Sequence, residues 1–156
     1  MRGAMLGGVL GVVAVVFALA AVAARAGDAD GTYREGQTLY GAGRLAEAVP
    51  FFERARHLAP LSMSAIHSTY FEGMSLYRQD RWADAARVFS ELLATFPEAH
   101  AAAESDYHLG LCRARLGNQA GAIEAWRDTR ERYADTPWAK YAGERLAEVE
   151  GKGTGG

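Results

Sequence analysis

A fixed interval of 37 residues runs through the chain and constrains its fold more than any other feature. Tyr33, Tyr70 and Tyr107 stand at that interval, as do Gly36, Gly73 and Gly110. Ala48, Ala85 and Ala122 repeat it, and so does the aromatic series Phe52, Phe89 and Trp126. Self-similarity at such a period marks stacked structural units, each too small to bury its own apolar face, so that neighbours complete one another's core. A protein built this way usually works by presenting a surface and not by catalysing a reaction.

Within each unit the apolar residues follow a helical step. Tyr33, Gly36, Leu39 and Tyr40 fall on one stripe, and Gly41-Ala42-Gly43 interrupts it with residues that leave the right-handed region readily. Leu45, Ala48, Val49, Phe52 and Ala55 form a second stripe, closed by Pro60, with Pro50 in its first turns. The second unit repeats the plan with Tyr70, Gly73, Leu76 and Tyr77, a turn at Gln79-Asp80-Arg81, then Trp82, Ala85, Val88, Phe89 and Leu92 before Phe96-Pro97. The third runs through Tyr107, Leu109, Gly110 and Leu111, turns at Gly117-Asn118, and continues through Ala122, Ile123, Trp126 and Tyr133. A mid-helix glycine costs up to about 1 kcal/mol relative to alanine. Three at one register therefore predict a neighbouring helix too close for a methyl group, with the alanine series as the matching small surface. A last helix is expected from Pro137 to Val149, with Thr136 as N-cap and Pro137 at the first helical position. Its polar outer face would cap the stack.

The expected fold is thus an all-α superhelix of three helix pairs and a C-terminal capping helix, preceded by a hydrophobic helix. The repeat domain spans 27–150, with units at about 30–60, 66–97 and 103–135, a cap at 137–150 and a flexible Gly-rich tail at 151–156. Residues 1–26 stand apart. Gly3 to Ala24 carries no charge, and Ala24-Arg25-Ala26 fits the small-x-small pattern of a cleavage point. Two readings stay open: a secretory signal peptide cut after Ala26, or an uncleaved N-terminal membrane anchor, since about 20 apolar residues span a bilayer. Either predicts an exported, periplasmic protein, in the second case held at the inner membrane.

Composition narrows the partners. Basic residues number 17 and acidic ones 19, so no strong positive field draws nucleic acid. Cys112 is the single cysteine, which rules out an intrachain disulfide, a Cys-based zinc site and a lipid-modified cysteine near the N-terminus. No metal or cofactor is expected: His57, His67, His100 and His108 show no ligand spacing, and no phosphate-binding glycine loop follows a strand. His108 and Cys112 lie one helical turn apart, but no third group orients them as a catalytic pair. Glu35 and Glu72, at one register, read as a solvated face.

Gly in the first helix, Ala and an aromatic in the second, and Pro at the end resemble the tetratricopeptide repeat (TPR) pattern over residues 30 to about 135. Gly36, Ala48, Phe52, Ala55 and Pro60 fall in its register, as do Gly73, Ala85, Phe89 and Pro97, then Gly110, Ala122 and Trp126. Where the pattern has a large apolar residue four before the glycine, this chain has Thr32, Thr69 and Asp106. Just before the glycine it has Glu35, Glu72 and Leu109, which suggests rotated first helices with the tyrosines replacing the missing bulk. Ser105-Asp106-Tyr107-His108-Leu109-Gly110 and the stretch Arg132-Tyr133-Ala134-Asp135-Thr136-Pro137-Trp138-Ala139-Lys140 are similar to the C-terminal TPR domain of periplasmic Tol–Pal-associated cell-division coordinators. Related repeats occur in outer-membrane assembly lipoproteins. The resemblance implies a non-catalytic scaffold or adaptor of the cell envelope, holding a peptide or helix of a partner protein in a concave groove. The alternative is a structural subunit of a larger membrane-associated assembly.

The concave side of such a stack is built from first helices. The candidate groove comprises Tyr33, Gln37, Tyr40, Tyr70, Met74, Tyr77, Tyr107 and Leu111, with Arg78 and Arg115 at its rim. Tyrosines give large amphipathic contact area at modest entropic cost. They serve equally as packing between neighbouring helix pairs, and the sequence leaves both roles open.

Overall fold

A computed structural model describes residues 4–153, with side chains from 14 to 151. The described residues form seven α-helices and no strand: α1 (Ala4–Gly41), α2 (Leu45–Leu58), α3 (Met63–Tyr77), α4 (Trp82–Thr95), α5 (Ala102–Arg115), α6 (Gln119–Arg132) and α7 (Pro137–Gly153). Each helix packs on the next, which makes three pairs and a closing helix. The backbones of the first helices also approach one another, α1 with α3, α3 with α5 and α5 with α7, whereas those of α2, α4 and α6 stay apart. Crowding on one side and spreading on the other curves the stack, with α1, α3, α5 and α7 inside the curve.

The glycine register has a different cause from the one expected. A Cβ at Gly36 would lie 2.8 Å from Phe52 Cε1, and at Gly73 it would lie 2.5 Å from Phe89 Cε1. At Gly110 it would run into the Trp126 indole. The aromatic of each second helix, not its alanine, thus fills the notch. Phe52 and Phe89 are fully buried there, and the Trp126 Nε1 donates to the Tyr107 carbonyl at 3.3 Å. Ala48, Ala85 and Ala122, also fully buried, form part of the same core.

The turns repeat as well. Gly43, Asp80 and Gly117 all adopt positive φ, 74°, 59° and 79°, at the same place in successive units. Asp80 fills with a side chain the slot where glycine is unstrained. Arg44 and Arg81 precede the second helices and pair with Glu47 and Asp84 one turn on, while Asn118 accepts the Gly121 N–H at 3.0 Å.

The polar residues at the apolar positions of the pattern go inside, so α3 and α5 are not rotated. Thr69, Glu72 and Asp106 are all buried, and only Glu35, on α1, faces solvent. Thr69 returns its hydroxyl to the Ala65 carbonyl at 2.7 Å. Glu72, read from sequence as solvated, accepts from Arg56 Nε at 2.7 Å, and Arg56 Nη1 donates to Glu91 at 2.7 Å. This chain, buried at Arg56 and Glu72 and open to solvent at Glu91, ties α2, α3 and α4 together. Burial raises the Glu72 carboxyl against the opposing pull of Arg56.

At the ends two further expectations change. Thr136 does not cap α7 with its side chain; its hydroxyl donates to the Tyr133 carbonyl, and the Thr136 backbone carbonyl receives the Ala139 N–H. The cap extends to Gly153, so the start of the expected flexible tail is helical, and 154–156 lie outside the described residues. At the N-terminus α1 runs unbroken through Gly27 and Gly31. Residues 1–3 of the expected signal or anchor segment lie outside the described ones. Among the described residues no helix is long and apolar enough to cross a membrane.

Candidate functional site

The inner surface of the curve carries two depressions. The larger, about 770 Å³, lies between α1, α3 and the α4–α5 connection. Tyr33, Ile66, Tyr70 and Phe71 form its apolar floor, and Phe96 and Pro97 close one side. Gln37, His67 and Glu104 supply the polar groups. The smaller, about 310 Å³, is bounded by Tyr77, Leu111, Arg115, Arg145 and Val149, between α3, α5 and α7.

Of the ten candidate residues, Tyr33, Gln37 and Tyr70 line the first depression and Tyr77, Leu111 and Arg115 the second. Tyr40, Met74, Arg78 and Tyr107 line neither. Tyr40 is half-buried between Phe52 and Phe71, and the Arg78 guanidinium lies 5.1 Å above its ring. Met74 packs on the core of the second pair. Tyr107 is buried beside Trp138, with its hydroxyl 3.4 Å from Arg145 Nε, and so joins the cap to the third pair.

The tyrosine series therefore packs in part and lines in part. Tyr33 wedges its ring against Phe52, His67 and Phe71, and Tyr77 lies edge-on to Trp82 and His108. Burial raises the phenols of Tyr33 and Tyr77. Tyr70 is raised further, by burial first and then by the Glu104 carboxylate beside it, so its hydroxyl stays protonated and able to donate. Met63, Ile66, His67, Phe71, Glu104 and the 95–101 connection complete the first depression, none of them among the groove residues expected from the sequence.

Nothing in this surface forms a nucleophile–base pair. His108 is buried, and burial lowers its imidazole; Nδ1–H donates to the Glu104 carbonyl at 2.9 Å. Cys112 is fully buried, with its thiol pushed up to about 12. A protonated thiol in the core is not a nucleophile. No group of His, Cys, Asp and Glu among the described residues could hold a metal ion.

No curated protein matches this sequence. Several solved structures share its architecture. PcrH, a Pseudomonas aeruginosa protein, in complex with the chaperone binding region of PopD, superposes with a TM-score of 0.69 at 20% identity, covering 79% of this chain and 91% of that one. The Arabidopsis OM64 TPR domain gives 0.68 at 14% identity, covering 80% and 98%. MamA from Desulfovibrio magneticus gives 0.57 at 21% identity, covering 82% and 78%. At these identities the likeness establishes the fold. The sequence profile named "Tetratricopeptide repeat" matches residues 17–62 and 70–135, well over half of the chain. With the 37-residue register, the glycine notches and the stacked helix pairs, this places the chain in the tetratricopeptide repeat family.

Proposed function

We propose that this protein is a non-catalytic interaction module of the bacterial cell envelope, which seats an apolar segment of a partner protein on its inner, concave surface. The observation that carries the reading is the 770 Å³ depression with its aromatic and aliphatic floor and a few polar groups at its edge. That composition suits capture of a helix or extended segment through one or two large apolar side chains. Tyr70 and Gln37 offer hydrogen bonds that fix the segment's orientation. The PcrH structures hold the chaperone binding regions of PopD and PopB, so a stack of this shape accommodates a segment of another protein. The envelope assignment rests on the uncharged Gly3–Ala24 stretch and on the likeness to periplasmic division coordinators.

A second reading, as a packing subunit of a larger assembly, has its own observation. Leu116 and Tyr141 are exposed toward the cap end of the stack, where another subunit would cover them. The two readings separate through Ile66→Arg, which places a charge in the depression, and Leu116→Arg, which places one outside it. The concave reading predicts that affinity purification from the native envelope loses its specific partner with the first variant and keeps it with the second. The reverse pattern supports the packing subunit and overturns the concave site.

A further inference from the structure

Residues 14–25 of α1 are exposed on every face of the helix for more than three turns, and the only charge among them is the closing Arg25. Phe17 is 72% exposed, and Val15, Val16, Leu19 and Val22 are also open. A groove on a protein covers one side of a helix. A helix that is apolar all round needs an apolar medium all round. Beside it, on the α2–α3 connection, Leu61 is 84% exposed and Met63 64% exposed. Leu61 shares the lining of one cleft with Val22, Arg25 and Ala26, so it stands level with the end of the apolar stretch.

The place where a signal peptide would be cut belongs to the folded body. Ala26 is half-buried beside the α2–α3 connection, Ala29 is fully buried, and Ser64 donates its hydroxyl to Asp30. We propose that α1 is retained and that its apolar stretch, together with Leu61 and Met63, forms a lipid-facing edge seated in a phospholipid bilayer. Residues 15–22 measure about 12 Å along the axis at 1.5 Å per residue, close to the depth of one leaflet. Leu61 then enters at the level of the headgroups, where an exposed apolar side chain gains most from a second point of contact. Arg25, Arg54 and His57 border this edge and its neighbouring depression, and the arginines suit anionic headgroups. Because Met63 also lines the large depression, the concave site opens beside the lipid surface. The proposal does not depend on what that site binds.

The test uses the full chain on vesicles of phosphatidylcholine and phosphatidylglycerol. An environment-sensitive nitrobenzoxadiazole label is attached at Leu61→Cys or, as control, at Glu131→Cys on exposed α6; the buried Cys112 stays unlabelled. The expected result is a blue-shifted emission at position 61, quenched by doxyl-labelled lipid, with no change at 131. A vesicle-bound chain whose label at 61 remains in water overturns the proposal. So does a full chain that fails to float with the vesicles, or a mature protein from the native envelope that begins at Gly27.

Discussion

Gly73 and Phe89 are fitted to one another so closely that a single methyl group separates a good core from a strained one. Gly73→Ala would put carbon 2.5 Å from a ring that is fully buried and has nowhere to retreat. Overpacking of this kind costs about 1–3 kcal/mol. Urea unfolding of Gly73→Ala should show that loss, and Gly73→Ala with Phe89→Leu should recover part of it; additive losses would mean that the ring is not the obstacle. Asp80 is the opposite case. It alone of the three turn residues with positive φ carries a side chain, so Asp80→Gly should raise stability by about 0.5–1 kcal/mol in the same assay. Asp106 is buried with Oδ2 lacking a hydrogen-bond partner, and Thr129 beside it gives its hydroxyl to Ala125. Burial, reinforced by Asp128, lifts its carboxyl from the ordinary 3.8 to about 6. Between about pH 4 and 6 the folded chain therefore holds a proton that the unfolded chain has released. Stability should fall as pH rises from about 4 to 6 and stay lower above that, by about 2–3 kcal/mol. Melting Asp106→Asn across this range should show a flatter profile than the parent; an unchanged slope would remove Asp106 as its source.

Between elements, the periodicity made the helix pairs legible because each unit repeats its own glycine, aromatic and turn residues. It could not reveal what occurs once. The Arg56–Glu72–Glu91 chain joins α2, α3 and α4, yet the position one interval after Arg56 is Leu93 and one after Glu72 is Leu109. Glu72 looked solvated because it repeats Glu35 at one register, yet only Glu35 is exposed. Arg56→Leu would strand a buried carboxylate, and loss of a buried partner costs about 3–5 kcal/mol. The check is the unfolding free energy of Arg56→Leu beside the Arg56→Leu/Glu72→Leu pair, which should regain most of the loss. Failure to regain it would mean that the arginine acts through packing alone. The unbroken α1 was hidden for another reason. The expected cleavage after Ala26 set residues 1–26 apart, but α1 absorbs Gly27 and Gly31, both facing open space, at a cost of up to about 1 kcal/mol each without ending.

Over the whole molecule, the same logic explains how much of the candidate site could be read. The tyrosines were visible because they recur, and six of the ten named residues do line the two depressions. Phe71, Ile66 and the 95–101 connection were not, since the positions matching Phe71 are Arg34 and His108, and those matching Ile66 are Ala29 and Ala103. The large depression is thus a local specialisation on a repeated frame, and it is here that a partner should meet the protein. Site-specific photo-crosslinking in the native envelope tests this most directly, with a photoreactive residue at Tyr70 in the depression or at exposed Arg87 on α4. One discrete adduct is expected from position 70, traced to an apolar segment of a partner protein, and none from position 87. Adducts from position 87 alone would contradict it.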